Sequence, residues 1–396
     1  MNATAETMTA AHAAAAPARI TAVPAADWDA AASDWRGLTA RTPHQSVFAG
    51  AEWIGAWIRN YQQRLPIKII RIYDGAELIG ACLLTRRIQW KGPVPLRNVY
   101  LNAAGEDQRE EVGAEFNHFV CLEGREAMAA AALRRHLDAT GWDNFILPGC
   151  AQTPALQALK DAFQDQVIEC NTEPSYYVDL RAIRDSGKSI EMSISKNSRQ
   201  NIRESVRLYQ EFGPLRLDVA GSAGQAHQML SELAALHADR WAARGLPGAF
   251  ASPRFRQFHQ DLIDQYFDQG LIHLMRVSAG DHVIGVIYNL VAESKVFFYQ
   301  CGFRITPNHR LRPGLVTLLH ALEWYRKSRW SEFDLMAGDM QYKRSFGHEF
   351  RKLEWCRIGR RGWRTSFVFL ARQSRRRCRE MFGSVASSIA SLRPGR

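Results

Sequence analysis

Apolar positions along this chain follow two rhythms, one of period near 3.6 and one of period 2. In Glu52–Tyr61 (EWIGAWIRNY), Trp53, Ile54 and Trp57 fall at helical spacing, and the segment is predicted to be a helix. Ile67–Tyr73 and Glu77–Leu84 are strand-like runs separated by Asp74-Gly75, a dipeptide suited to the positive-φ turn of a hairpin. A strand near Asn98–Leu101, a helix over Gly124–Thr140 and a strand over Asn144–Leu147 follow. The order is helix, hairpin, strand, helix, strand.

The second half repeats that order at larger scale. Ser175–Leu180 reads as a strand, Lys196–Glu211 as a helix with an exposed basic face, and Leu215–Val219 as a strand. Helices are predicted over Gly224–Arg240 and Pro253–Gln269. Three consecutive strands come next, Ile272–Val277, His282–Val291 and Lys295–Cys301, then a helix over Gly314–Lys327 and a strand over Glu332–Met336. Hairpin connections give antiparallel pairs and a strand-helix-strand crossover gives a parallel one, so the sheet is expected to be mixed and the class α+β.

At 396 residues, with 46% hydrophobic and 23% charged, the chain exceeds the usual span of one core. The expected organisation is a flexible tail over 1–20, domains over 21–165 and 166–357, and a basic amphipathic tail over 358–396. Seven cysteines are scattered singly with no ligand spacing, which suggests reduced thiols in a cytoplasmic compartment and no metal. The N-terminal stretch lacks a basic n-region and a compact apolar core, and no apolar run approaches the roughly 20 residues that span a bilayer. The expectation is a cytoplasmic protein, at most peripheral at the inner face of the cytoplasmic membrane.

The charge is unevenly placed. Residues 351–396 hold 13 Arg or Lys against 2 Glu, a net of +11 that equals the +11 of the whole chain. Arg375–Arg377 and Arg379 interleave with Trp363, Phe367, Met381 and Phe382, a pattern that suits either an anionic membrane surface or a helix packed on its own domain with a solvated basic face. Nothing accompanies it that reads nucleic acid by sequence.

Candidate chemistry begins at Arg304–Trp324. Pro313 suits the first turn of a helix, Gly314 permits close approach, and Arg310 and Arg312 are placed either to pair with phosphates at the helix start or as solvated arginines beside a cap.

The succession LHADRW (Leu236–Trp241), VFFYQCGF (Val296–Phe303), RPG (Arg312–Gly314) and FDLMAGDMQYKRSFG (Phe333–Gly347) resembles the GNAT-fold acyltransferases related to cellulose-biosynthesis protein CelD. The resemblance implies tandem GNAT-like domains, each a mixed sheet flanked by helices, and transfer from acetyl-CoA or a longer acyl-CoA. It puts Arg310, Arg312, Pro313 and Gly314 at the donor pyrophosphate, although a full Gln/Arg-x-x-Gly-x-Gly/Ala loop is absent. The string Tyr342-Lys343-x-x-Phe346-Gly347 is also similar to the FemAB aminoacyltransferases, whose donor is aminoacyl-tRNA.

Acyl transfer needs a donor cradle, removal of a proton from the nucleophile and stabilisation of the oxyanion. Asp339 is the candidate to orient or deprotonate the acceptor, with a structural turn as the alternative; Tyr342 and Lys343 are candidates for donor contacts or oxyanion stabilisation. His237 is a second candidate base, and Arg240 and Trp241 candidate acceptor contacts, each set against a packing role. The family signature points to Tyr299, and Glu115, Asn117 and His118 of EFNHF are possible walls of an interdomain groove. The function expected is an acyl-CoA-dependent N- or O-acyltransferase acting on a cell-envelope or exopolysaccharide precursor. The alternatives are long-chain N-acyl transfer in ceramide synthesis, aminoacyl transfer from tRNA, and a non-catalytic scaffold for an envelope synthase.

Overall fold

The Asp74-Gly75 turn forms as its sequence predicts, with Gly75 at φ 58°, and opens a sheet of 13 strands. The computed structural model describes residues 17–42, 46–347 and 349–368. The first run of elements is β1 (Arg19–Pro24), α1 (Trp28–Thr39), α2 (Ala51–Tyr61), β2 (Ile67–Asp74), β3 (Glu77–Lys91), β4 (Val94–Leu101), β5 (Val120–Cys121), α3 (Glu126–Thr140), β6 (Asn144–Ala151), α4 (Pro154–Ala162) and β7 (Val167–Asp179). Three helices, α5 (Leu180–Asp185), α6 (Ile190–Ser193) and α7 (Lys196–Gln210), lead to the second run. That run is β8 (Leu215–Val219), α8 (Ala223–Ala242), α9 (Pro253–Tyr266), β9 (Ile272–Ala279), β10 (His282–Ala292), β11 (Lys295–Phe303), α10 (Pro313–Arg326), β12 (Glu332–Ala337), α11 (Gln341–Phe346) and β13 (Glu349–Gly359).

Apart from the short β5, the two runs share one order, a strand, two helices, three strands, a helix, a strand, a helix and a final strand. The sheet runs β1-β2-β3-β4-β6-β13-β7-β12-β11-β10-β9-β8, with β5 beside β3. The final strands are exchanged: β13 lies beside β6 of the first run, and β7 lies beside β12 of the second. The parallel pairs β4·β6 and β11·β12 are those that a strand-helix-strand crossover requires.

Helix starts carry the polar caps that the sequence offers. Thr153, Ser195, Ser222 and Ser252 each accept a backbone N–H of the first turn, and Pro154 and Pro253 occupy positions whose own N–H would be unpaired. Their apolar faces do not build two separate cores. One cluster runs through both halves, joined where Trp53 of α2 meets Phe258 of α9 at 4.9 Å between ring centroids and Phe116 meets Phe297 at 5.4 Å. A second cluster, on the face covered by α10, packs Leu318, Leu322 and Tyr325 on Phe298 and Phe333.

Several expectations change. Strand β1 begins inside the stretch expected to be tail, and α1 and β13 were not predicted. Cys170 and Cys356 form a disulfide between directly opposed positions of β7 and β13; at a sequence separation of 186, spacing gives no hint of the pair. Cys82, Cys121, Cys150 and Cys301 are free thiols. Among the described residues no helix is long and apolar enough to cross a membrane. The basic run Arg375–Arg377 with Arg379 lies outside the described residues.

Candidate functional site

Strands β11 and β12 pair only at Lys295↔Glu332, Val296↔Phe333 and Phe297↔Asp334, and then part. Two local irregularities drive them apart. On β11, pairing with β10 passes from Tyr288↔Gln300 to Asn289↔Phe298, so Tyr299 is the extra residue of a bulge. On β12, pairing with β7 shifts between Asp334 and Ala337, Met336 takes φ 63° and Gly338 φ 117°. Asp334 holds that bend: its carboxylate accepts the Met336 N–H at 2.7 Å and the Ser175 hydroxyl at 2.7 Å. Burial pushes the Asp334 carboxyl up to about 7.

The parted strands open a largely apolar cleft of about 550 Å³. Phe298, Cys301 and Phe303 of β11, the start of α10 from Arg312 to Leu315, Met340 and Tyr342 line it, with Arg240 of α8. Pro313 is the first helical residue and no side chain caps that helix start. A Cβ on Gly314 would lie 3.1 Å from the Phe303 ring, so glycine here lets the helix start close on the strand.

Lys343 lies against the bent strand beside the cleft. Its ammonium is buried and donates to the carbonyl oxygens of Met336, at 2.9 Å, and Ala337. Burial lowers its pKa, while Glu115, Asp334 and Cys301 act in the opposite direction. Glu115 comes from the first run and accepts the Ala337 N–H at 2.7 Å, and burial raises its carboxyl. Two of the three Lys343 N–H groups are thereby assigned to the carbonyls of the bent strand, leaving one.

The structure thus brings together Arg240, Arg312, Pro313, Gly314 and Tyr342 as cleft lining, with Lys343 and Glu115 beside the bent strand. Arg240 is exposed and has no hydrogen-bond or ion-pair partner among the described residues. Trp241 is half-buried, with the Arg244 guanidinium over its ring.

Other expected site residues go elsewhere. Arg310 does not line the cleft, because Glu204 of α7 takes it at 2.6 Å; the same carboxylate lies 3.5 Å from Arg312. Asp339 is a surface residue paired with Arg344 at 2.8 Å and accepting the Tyr176 hydroxyl at 3.1 Å, so its carboxylate points away from the cleft lining. His237 is packed between Trp241 and Phe250 with Gly248 against its ring, and burial drives its pKa down to about 4. That leaves it neutral and weakly basic, a packed side chain of the helix. Tyr299 is half-buried between the halves and donates to the Val112 carbonyl.

Asn117 has a different part. In the first run, β4 and β6 pair at Asn98↔Asn144 to Tyr100↔Ile146 and then part, as β11 and β12 do. Here the gap is filled: the Asn117 side chain donates to Leu101 at 3.2 Å on one lip and to Pro148 at 3.1 Å on the other, and its backbone bridges to Cys150. His118 is buried beside it. Only the parting in the second run is left as a cleft.

Reasoning from the sequence missed Asp334, although a carboxylate inside the apolar run FDLM was a visible signal. It also missed Phe298, Cys301 and Phe303, whose roles depend on the bulge.

Residues 196–344 match the family model described as an acetyltransferase (GNAT) domain, and this stretch contains α8, the bulged strand, α10 and the bent strand. Among solved structures, the chain is similar to FemX, with TM-score 0.53 and 10% identity over 82% of this chain and 95% of that one. It is also similar to L-PGS from Bacillus licheniformis, with TM-score 0.50 and 8% identity over 86% and 95%. A protein of unknown function from Bacteroides thetaiotaomicron gives TM-score 0.51 and 10% identity over 86% and 99%. Comparison with curated protein sequences finds no match. The fold is that of the GNAT superfamily, distantly related to these structures, and the chain is an enzyme of the GNAT acyltransferase type. Such a fold implies an acyl-CoA-type co-substrate.

Proposed function

We propose that the chain transfers an acyl group from a CoA thioester to an amine or hydroxyl of a cell-envelope or exopolysaccharide precursor. The observation that carries the donor half of this reading is the β11/β12 cleft, apolar along its walls and ending at the uncapped start of α10 beside Arg312. Apolar walls suit a pantetheine arm and acyl chain, while the Gly314 N–H, which has no partner among the described residues, suits a phosphate oxygen with Arg312 beside it. The acceptor half rests on the CelD-like sequence resemblance. The repeated element order supports tandem GNAT-like units, the first carried through β7 to Asp179 rather than ending at 165 and the second starting at β8, with the first run's parting plugged by Asn117 and the second active.

In this reaction the acceptor nitrogen or oxygen bonds the thioester carbon, the carbon–sulfur bond breaks, and CoA leaves as its thiol. Lys343 directs its remaining N–H toward the carbonyl oxygen as charge develops there. Tyr342 lines the cleft and is kept protonated by burial, so it can give its proton to the departing sulfur and recover one, through water, from the acceptor nitrogen or oxygen once the new bond has formed. Arg240 and Trp241 meet the acceptor, with Arg240 suited to an anionic group.

A long-chain donor, as in ceramide synthesis, is a second reading, favoured by Ile305 and Met340, which line the cleft while remaining about half exposed. Mass spectrometry of a ligand retained by the purified protein, followed by transfer assays with acetyl-CoA and long-chain acyl-CoA, separates the two. Folded protein that binds neither donor would overturn both.

A further inference from the structure

The β3–β4 hairpin is longer than the sheet that holds it. Strand β2 accompanies β3 only as far as Thr85, and β6 accompanies β4 only from Asn98, so residues 88–96 form a two-stranded ribbon paired only with itself. Direct cross-strand partners share a face. Ile88 and Trp90 therefore stand on one face, opposite Arg97 and Pro95, and Val94 and Leu96 on the other.

The second face is covered. A helical stretch over 363–368 lies there, with Val368 packed on Val94 and Leu96. The first face is not: Ile88 is 62% exposed and Trp90 65%. The covering helix presents Trp363, 68% exposed, and Phe367, 50% exposed, one turn apart. The ribbon, which extends past its sheet neighbours, thus carries exposed apolar side chains on both sides, Ile88 and Trp90 on its bare face and Trp363 and Phe367 on the helix that covers the other.

The charges around them are mostly positive. Arg97 and Arg364 share the single carboxylate of Asp143. Arg360 and Arg361 line the same recess, and among the described residues neither they nor Lys91 form an ion pair. The chain beyond Val368 continues into Arg375–Arg377 and Arg379.

We infer that the ribbon and the helix packed on it form a docking surface for an anionic lipid bilayer. Tryptophan rings settle at the headgroup level with an apolar body and a polar edge, and shallow burial of a few apolar side chains beside a cationic rim is how a monotopic surface holds. A projecting tip fits a deformable bilayer, whereas a protein partner would need a complementary hollow. This surface is independent of the acyl-transfer reading.

The test uses full-length protein, sedimented with vesicles of phosphatidylglycerol mixed evenly with phosphatidylcholine and with vesicles of phosphatidylcholine alone. Wild type is expected to partition onto the anionic vesicles. Arg360→Gln with Arg361→Gln should lower the partition coefficient at low salt by about fivefold per residue, the loss shrinking as salt screens the surface. Trp90→Ala with Trp363→Ala should lower it at low and high salt alike, since apolar burial is not screened, and Ile88→Ser should act in the same direction. Arg360 is half-buried and the other substituted side chains are exposed, and a matched urea midpoint verifies the fold. Unchanged partition of both paired variants would overturn the assignment, as would failure of wild type to bind anionic vesicles. A concentration-dependent dimer that dissolves in the tryptophan variant would overturn it too, giving the surface to a second copy of the chain.

Discussion

The carboxylate of Glu115 accepts the N–H of Ala337 at 2.7 Å, so a residue of the first run of elements holds the end of the strand that forms one lip of the cleft in the second. A hydrogen bond to a charged acceptor contributes about 1.5–3 kcal/mol. Glu115→Ala is therefore expected to lower unfolding free energy by about that much, also removing the negative partner of the buried Lys343. Glu115→Gln keeps an oxygen for the Ala337 N–H and should lose less. Urea denaturation of the two variants measures the difference, and equal stabilities would mean that the contact does not anchor the strand.

The two arginines before α10 are expected to separate. Arg312 lines the cleft, whereas Arg310 is held by Glu204 outside it. Arg312→Ala should weaken CoA binding by about 1.5–3 kcal/mol, roughly tenfold to a hundredfold, the usual contribution of a charge-assisted contact. Arg310→Ala should change it little. Calorimetry with CoA decides this, and the reverse ranking would move the phosphate site out of the cleft.

Asp339 and Lys343 should differ in the same way. The Asp339–Arg344 pair is on the surface, with both side chains about half exposed, and such pairs contribute less than about 1 kcal/mol. Asp339→Asn is accordingly expected to keep near-wild-type kcat. Lys343→Met should lose about 100- to 1,000-fold in kcat with donor affinity kept, the effect of removing one oxyanion donor. Steady-state transfer together with CoA binding measures both. A large kcat loss in Asp339→Asn would restore the carboxylate to the chemistry.

The local rhythms made much of the fold legible. The Asp74-Gly75 hairpin, the three strands β9, β10 and β11, and α10 opening at Pro313 follow from period and turn chemistry, which act over a few residues. Strand exchange was hidden, since β13 seats itself between β6 and β7 through pairings some 170 to 215 residues apart, and no local pattern encodes a partner at that distance. The same holds for Cys170 and Cys356. The position of Arg312 and Gly314 at the start of α10 was legible because a helix start has a local signature. Asp339 misled because GDMQYKR looks alike whether its carboxylate faces a cleft or Arg344. Asn117 looked like a groove wall because the gap that it fills exists only once β4 and β6 have parted.

The bend of β12 makes a pH prediction. Asp334 is fully buried, accepts from Ser175 and Met336, and keeps its proton up to about 7, against an ordinary 3.8. Between those values the folded chain holds a proton that the unfolded chain has released, so this group's contribution to stability is complete below about pH 4 and is lost as pH rises through about 7. Asp334→Asn keeps the shape and an acceptor oxygen for both partners but cannot ionise. Its stability relative to wild type should therefore improve steadily from about pH 4 to pH 7 and level off above, even if the variant starts lower. The buried His237 and His259 and the half-buried His273 have pKa values lowered by desolvation and pull wild type and variant alike toward unfolding in acid, so they cancel in the comparison. Urea midpoints of both proteins across that range provide the measurement. A difference independent of pH would mean that Asp334 is ionised throughout, paired with the Arg351 guanidinium 3.5 Å away, and that the bend is held by a charge rather than by a protonated acid.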